Sequence, residues 1–132
     1  MEITKTELER FVFLTSHACY DIDCKIEYKL LGRKILRSLA KMLELKKDEF
    51  EIQWNPGGIA CSGDHILHTK KFYLALHDNL GMGWFYYRKC HGLKDYGTGV
   101  DCPNQIVNWD FFLNYGLTEL TNVLRAFQDK IL

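Results

Sequence analysis

The chain has little proline and no excess of charge of either sign. Only Pro56 and Pro103 occur in 132 residues, so no proline-rich linker or extended recognition tract is present. Seventeen basic side chains balance seventeen acidic ones. That excludes a strongly basic nucleic-acid binder or an acidic solvating chain as a whole-molecule character, while leaving local patches open. No apolar run approaches the length of a membrane-spanning helix. No signal peptide is visible either, because Met1-Glu2-Ile3-Thr4-Lys5-Thr6-Glu7 is polar. The five cysteines (Cys19, Cys24, Cys61, Cys90, Cys102) are odd in number and contain no C-x-x-C pair. A disulfide framework is therefore not indicated, and the expectation is a soluble, cytoplasmic protein with free thiols that pack as small buried hydrophobes. No repeat, low-complexity tract or linker divides the chain, which reads as a single domain over 1–132.

Unusual residues gather in one stretch. Phe50 to Phe112 holds all three tryptophans, both prolines, eight of the ten glycines and four of the five histidines. Before it, Thr4-Lys5-Thr6-Glu7 has capping-box spacing, and Leu8, Phe11, Val12, Thr15 and Ala18 predict a helix of about four turns ending near Cys19-Tyr20. Asp21 and Asp23 offer the next cap. A second helix is predicted from about Ile22 to Leu45, with Ile22, Ile26, Leu30, Ile35 or Leu36, Leu39 and Met42 or Leu43 toward the core. Gly32 in its middle costs about 1 kcal/mol relative to alanine and marks a kink or a close contact. Lys25, Lys29, Arg33, Arg37 and Lys41 recur every fourth residue on its other side. Each step of four drifts about 40°, so these charges sweep over a broad face rather than a line.

From Glu49 the period changes to two. Glu49–Trp54 alternates as a strand, Asn55-Pro56-Gly57-Gly58 turns, and Ile59-Ala60-Cys61 is a short apolar piece. His65 to Asp78 contains a longer strand with Phe72, Leu74 and Leu76 on one face and Tyr73, Ala75 and His77 on the other. Asn79–Gly83 reads as a hairpin loop. In Trp84–His91, Trp84, Tyr86, Arg88 and Cys90 oppose Phe85, Tyr87, Lys89 and His91. Gly92–Asn104 is a long loop. Gln105–Trp109 is a last strand or the approach to a helix that starts at Leu117, capped by Thr118. The fold class is α+β: two N-terminal helices, a four-stranded antiparallel meander (within three to five), and a C-terminal helix packed on one face of the sheet.

Chemical constellations are weak. Cys61, His65 and His68 give C-x3-H-x2-H, with Cys90-His91 and Cys102 further on. The spacing matches no common zinc motif, and His65 and His68 on one strand would point to opposite faces. No flanking signature supports a cysteine–histidine nucleophile. Gly97-Thr98-Gly99 lacks the Gly-Lys-Ser/Thr ending of a phosphate loop. Neither a metal nor another cofactor is assigned. Gly83-Trp84-Phe85-Tyr86-Tyr87-Arg88-Lys89 interleaves aromatic and basic residues like a base-stacking strand, although the element order differs from an RNA-recognition domain.

Asn55–Asp64, Leu67-His68-Thr69, Phe72-Tyr73-Leu74, Arg88–Gly97 and Asn104 together resemble a group of small proteins of bacteriophages, prophages and mobile elements. The likeness covers about half of the chain. It implies a non-enzymatic accessory protein acting by binding in the host cytoplasm, most concretely an inhibitor of a host defence system of the anti-CRISPR kind. The expected partner is a host or phage protein, including a ribonucleoprotein defence complex, with no membrane. The contact residues expected are Lys25, Lys29, Arg33, Arg37 and Lys41 on the second helix and Arg88, Lys94, Asp95 and Tyr96 around the long loop. The alternatives are a nucleic-acid or nucleotide-binding module using the basic helix or the aromatic strand, and a small metal-dependent enzyme. A homodimer through an incompletely covered sheet face is compatible with the aromatic content.

Overall fold

The computed structural model describes residues 3–17, 21–57, 62–77, 83–97 and 99–130. The order is α1 (Lys5–Leu14), α2 (Ile22–Met42), a single 3-10 turn at Lys47–Glu49, five strands, then α3 (Trp109–Lys130). The strands are β1 (Phe50–Asn55), β2 (Asp64–Thr69), β3 (Phe72–His77), β4 (Trp84–Lys89) and β5 (Gln105–Asn108). They form one antiparallel meander in the order β1-β2-β3-β4-β5. The α+β class and the packing of the C-terminal helix on the sheet are as expected, with a fifth strand added.

The capping box is built as its spacing implies. Thr4 Oγ1 accepts the Glu7 amide at 3.1 Å, and the Glu7 carboxylate accepts the Thr4 amide at 3.0 Å. The helix ends at Leu14, earlier than expected, and the Thr15 hydroxyl donates to the Val12 carbonyl at 2.6 Å. The expected end at Cys19-Tyr20 lies outside the described residues. Asp21 caps α2 by accepting the Asp23 and Cys24 amides at 2.8 and 3.3 Å. The other end of α2 also falls short of the expected Leu45. Glu44 turns left-handed (φ 57°), and the Glu44 and Leu45 amides donate back to the carbonyls of Lys41 and Ala40, each at 3.0 Å. This pair of bonds satisfies carbonyls that the helix would otherwise leave open.

The span from His65 to Asp78 is a hairpin, since β2 and β3 are joined at Lys70-Lys71. The Thr69 hydroxyl accepts the Lys71 and Phe72 amides at 3.1 and 3.0 Å, which turns the chain without glycine or proline. Ile59-Ala60-Cys61 and most of the Asn79–Gly83 loop lie outside the described residues.

The register separates two sheet faces. On the inner face, rows such as Ile52–Leu67–Leu74–Tyr87 meet all three helices. Phe11, Tyr28, Leu36, Leu74, Phe85 and Phe112 are fully enclosed there. Helix α2 lies across β1 and β2, while α3 reaches β4 through Phe85–Phe112 and Tyr87–Phe127 ring contacts at 5.7 and 4.9 Å. Gly32 brings α2 against the sheet: a methyl group there would overlap the His65 ring. The close contact foreseen at Gly32 is therefore made with a strand. Helix α3 begins at Trp109, where the Asn108 side chain accepts the Asp110 amide at 2.7 Å, well before the expected Leu117. Gly116 interrupts it at φ 68°, ψ −167°.

Candidate functional site

On the outer sheet face the register builds two rows, Gln53–Ile66–Ala75–Tyr86–Ile106 and Glu51–His68–Tyr73–Arg88. No described helix packs on this side. Ile66, Tyr73, Ala75 and Tyr86 form their own small apolar cluster, apart from the main core. The Arg88 guanidinium carbon lies 4.5 Å from the Tyr73 ring centre and 5.4 Å from that of Tyr86. His77 meets Trp84 and Tyr86 at 5.4 and 5.0 Å. Trp84, Tyr86 and Arg88 are each half-buried, so this face of β4 is open, while Phe85 and Tyr87 on its other face are closed in the core.

The connection from β4 to β5 folds over one end of this face. Tyr96 rests 5.3 Å from His68 and 6.1 Å from Tyr73, ring centre to ring centre, and is still half exposed. Arg88 Nε donates to the Tyr96 carbonyl at 2.8 Å, and Nη1 donates to Asn104 Oδ1 at 3.4 Å. The Asp95 carboxylate accepts the His91 amide at 2.6 Å and the Gly97 amide at 3.2 Å. The His91 amide, then that of Gly97, holds the Asp95 carboxyl below its ordinary pKa. Arg88 and Asp95 thus hold the loop in shape, whereas Lys94 and Tyr96 face solvent. His68 bonds through Nε2 to the Gly92 carbonyl at 3.0 Å and stays on the outer face, opposite His65. The two histidines do point apart.

The same connection gathers His91, Asp101 and Cys102. His91 Nε2 donates to Asp101 Oδ2 at 3.0 Å, and Cys102 Sγ stands 3.9 Å from that nitrogen and 3.5 Å from Asp101 Oδ1. Lys89 Nζ is 3.7 Å from Asp101 Oδ2. A cysteine–histidine–carboxylate relay places its two partners on opposite ring nitrogens; here both meet Nε2. Burial, then the neighbouring Asp101, pushes the Cys102 thiol up, away from thiolate reactivity. Burial also raises Cys90, whose thiol donates to the Thr69 carbonyl at 3.2 Å.

The basic helix belongs to the other side of the molecule. Because α2 packs on the inner face, its solvent side and the open sheet face look in opposite directions. Lys25, Lys29, Arg33, Arg37 and Lys41 are therefore not brought together with Arg88, Lys94, Asp95 and Tyr96. Lys25, Lys29 and Arg33 are half-buried, and Arg37 and Lys41 are exposed. Among the described residues, Lys29, Arg33, Arg37 and Lys41 take part in no ion pair. Lys34 instead pairs with Glu7 at 2.6 Å, and Arg10 makes a two-pronged bond to Glu27, both contacts 2.8 Å, so the α1-facing flank is neutralised.

One expectation is reversed here. Ile22, Ile26 and Leu30 are 72 %, 52 % and 58 % exposed and do not enter the core. The buried stripe runs through Tyr28, Gly32, Ile35, Leu36 and Leu39. Ile26 and Leu30 lie more than about 100° round the axis from Tyr28 and Ile35. They share the solvent sector with the basic row, apolar toward the N-terminal half and basic toward the C-terminal half. The missed signal is Tyr28, whose hydroxyl donates to the Gly63 carbonyl at 3.1 Å and fixes which side faces in.

Comparison with family models, curated proteins and solved structures finds no match for this chain. Among the described residues no helix is long and apolar enough to cross a membrane.

Proposed function

We propose that the chain is a non-enzymatic binding protein that docks on a partner protein through the solvent side of α2. The observation that carries this reading is the exposure of Ile22, Ile26 and Leu30 in register with Lys29, Arg33, Arg37 and Lys41. Apolar residues at a spacing of four on a solvent face mark a contact surface, and four basic groups without an ion pair among the described residues favour an acidic rim around it. The partner fitting this surface has an apolar cleft bordered by carboxylates. The likeness of the central segment to mobile-element proteins makes an inhibitor of a host defence complex the concrete form.

The test uses Ile26→Asp/Leu30→Asp and Lys29→Glu/Arg33→Glu/Arg37→Glu in an immunity assay, with recovery of the defence complex from host lysate alongside. Both variants should fold as the wild type, checked by thermal unfolding, since substitutions outside the core usually change stability by about 0.5 kcal/mol or less each, and both should lose inhibition. Retained inhibition in both, or none by the wild type, removes the reading.

A second reading is supported by the open face of β4, where Trp84, Tyr86 and Arg88 could stack bases. A gel shift at low salt discriminates. Salt-sensitive DNA or RNA binding that Tyr86→Ala abolishes favours the nucleic-acid module; no shift at low salt eliminates it.

A further inference from the structure

We propose that His91, Asp101 and Cys102 form a zinc site that clasps the neck of the β4–β5 connection, with its fourth position open to solvent. Three donors of different chemistry converge from the two ends of one loop: His91 lies two residues past the end of β4, and Asp101 and Cys102 precede β5. One ligand atom from each lies within 4.8 Å of the other two: His91 Nε2 is 3.0 Å from Asp101 Oδ2 and 3.9 Å from Cys102 Sγ, and Sγ is 3.5 Å from the other carboxylate oxygen, Oδ1. Zinc bonds of 2.0–2.3 Å in a tetrahedron put neighbouring donors roughly 3.3–3.6 Å apart, so small side-chain adjustments admit the ion. Facing one ring nitrogen from two sides, which spoils a catalytic relay, is what a shared ion requires.

The donors suit this cation. A thiolate, an imidazole and one carboxylate select a borderline-soft divalent metal over magnesium or calcium, which prefer oxygen throughout. Cys102 is buried while His91 and Asp101 are exposed, so the ion would sit with the sulfur behind it and water in front. Binding replaces the Cys102 thiol proton, which leaves to solvent, and displaces the Lys89 ammonium from Asp101. The backbone is already set: Asp95 holds the His91 amide, and the Cys102 amide donates to the Gly99 carbonyl at 3.1 Å. Because the unfolded chain does not hold the three donors together, the ion binds the folded loop and so stabilises the fold that positions Tyr96. This inference does not depend on the partner reading.

The experiment titrates the metal-stripped full chain with cobalt and then displaces cobalt with zinc. Expected are one cobalt per chain, tetrahedral visible bands, a near-ultraviolet thiolate-to-cobalt charge-transfer band, and a zinc-dependent rise in Tm. His91→Gln should weaken binding by at least about a hundredfold, beyond what a supporting residue would cost. Cys102→Ser should lose the charge-transfer band, and Cys24→Ser should keep it. If Cys102→Ser fails to fold, the exposed Asp101→Asn and His91→Gln carry the test through cobalt affinity and Tm. A charge-transfer band that survives Cys102→Ser, or stoichiometric binding unchanged in His91→Gln and Asp101→Asn, overturns the site.

Discussion

His65 is 1 % exposed and ringed by Phe11, Tyr28 and Trp54 at 5.5, 4.6 and 4.6 Å. Burial holds its pKa down at about 3; the Arg33 charge adds to this and a hydrogen bond with the Tyr28 backbone opposes it. The unfolded chain takes up this proton near pH 6.5, whereas the folded chain resists until about pH 3. Between those values the unfolded state binds more protons, so the stability is full above pH 6.5 and is lost as pH falls. The slope approaches about 1.4 kcal/mol per pH unit. We expect urea unfolding to show roughly 1.6 kcal/mol less stability at pH 5 than at pH 6.5 from this residue, and His65→Phe to remove that component. An unchanged slope in His65→Phe would refute the assignment. Strand alternation already told that His65 and His68 face opposite ways. It could not tell that both are buried, His65 beneath α2 where Gly32 leaves room for its ring and His68 beneath the β4–β5 connection, because both coverings come from distant parts of the chain.

At the scale of elements, legibility followed local chemistry. The Thr4–Glu7 cap, the Asp21 cap and the alternation in β3 and β4 are set by neighbours in sequence, and each was readable. The burial of α2 was not, because two apolar rows at helical spacing compete and only the sheet beneath decides between them. The turn at Lys70-Lys71 was missed because Thr69 does the work usually given to glycine or proline. Helix α3 hid its first two turns behind Gly116, whose backbone lies where essentially only glycine is comfortable. A Cβ there would meet nothing within 4 Å, so the cost of Gly116→Ala is conformational alone. The expected loss is about 1–3 kcal/mol, measured by thermal unfolding. A neutral or stabilising result would mean that the two parts of α3 join without the break. Likewise the spacing C-x3-H-x2-H pointed away from the cluster at His91, which forms only when the loop closes.

As a whole, the molecule is two-sided: the exposed row of α2 looks one way and the aromatic rows of the sheet the other. Layers about 10 Å thick separate them. Stability effects of Ile26→Asp and Tyr86→Ala should therefore add to within about 0.5 kcal/mol in the double variant, as denaturant titrations can measure. A larger coupling would show that one surface senses the other.

The meander has a consequence for how the chain is made. Each strand pairs with the strand next to it in sequence, so its pairings close over local connections, the longest being 90–104 between β4 and β5, at modest entropic cost. Phe11 of α1, however, touches Trp109 of α3 at 6.1 Å, almost a hundred residues downstream. During synthesis the inner face of the sheet emerges well before α3 can cover its β4 end, and that bare surface is what a nascent-chain chaperone would hold. Helix α1 waits for helix α3.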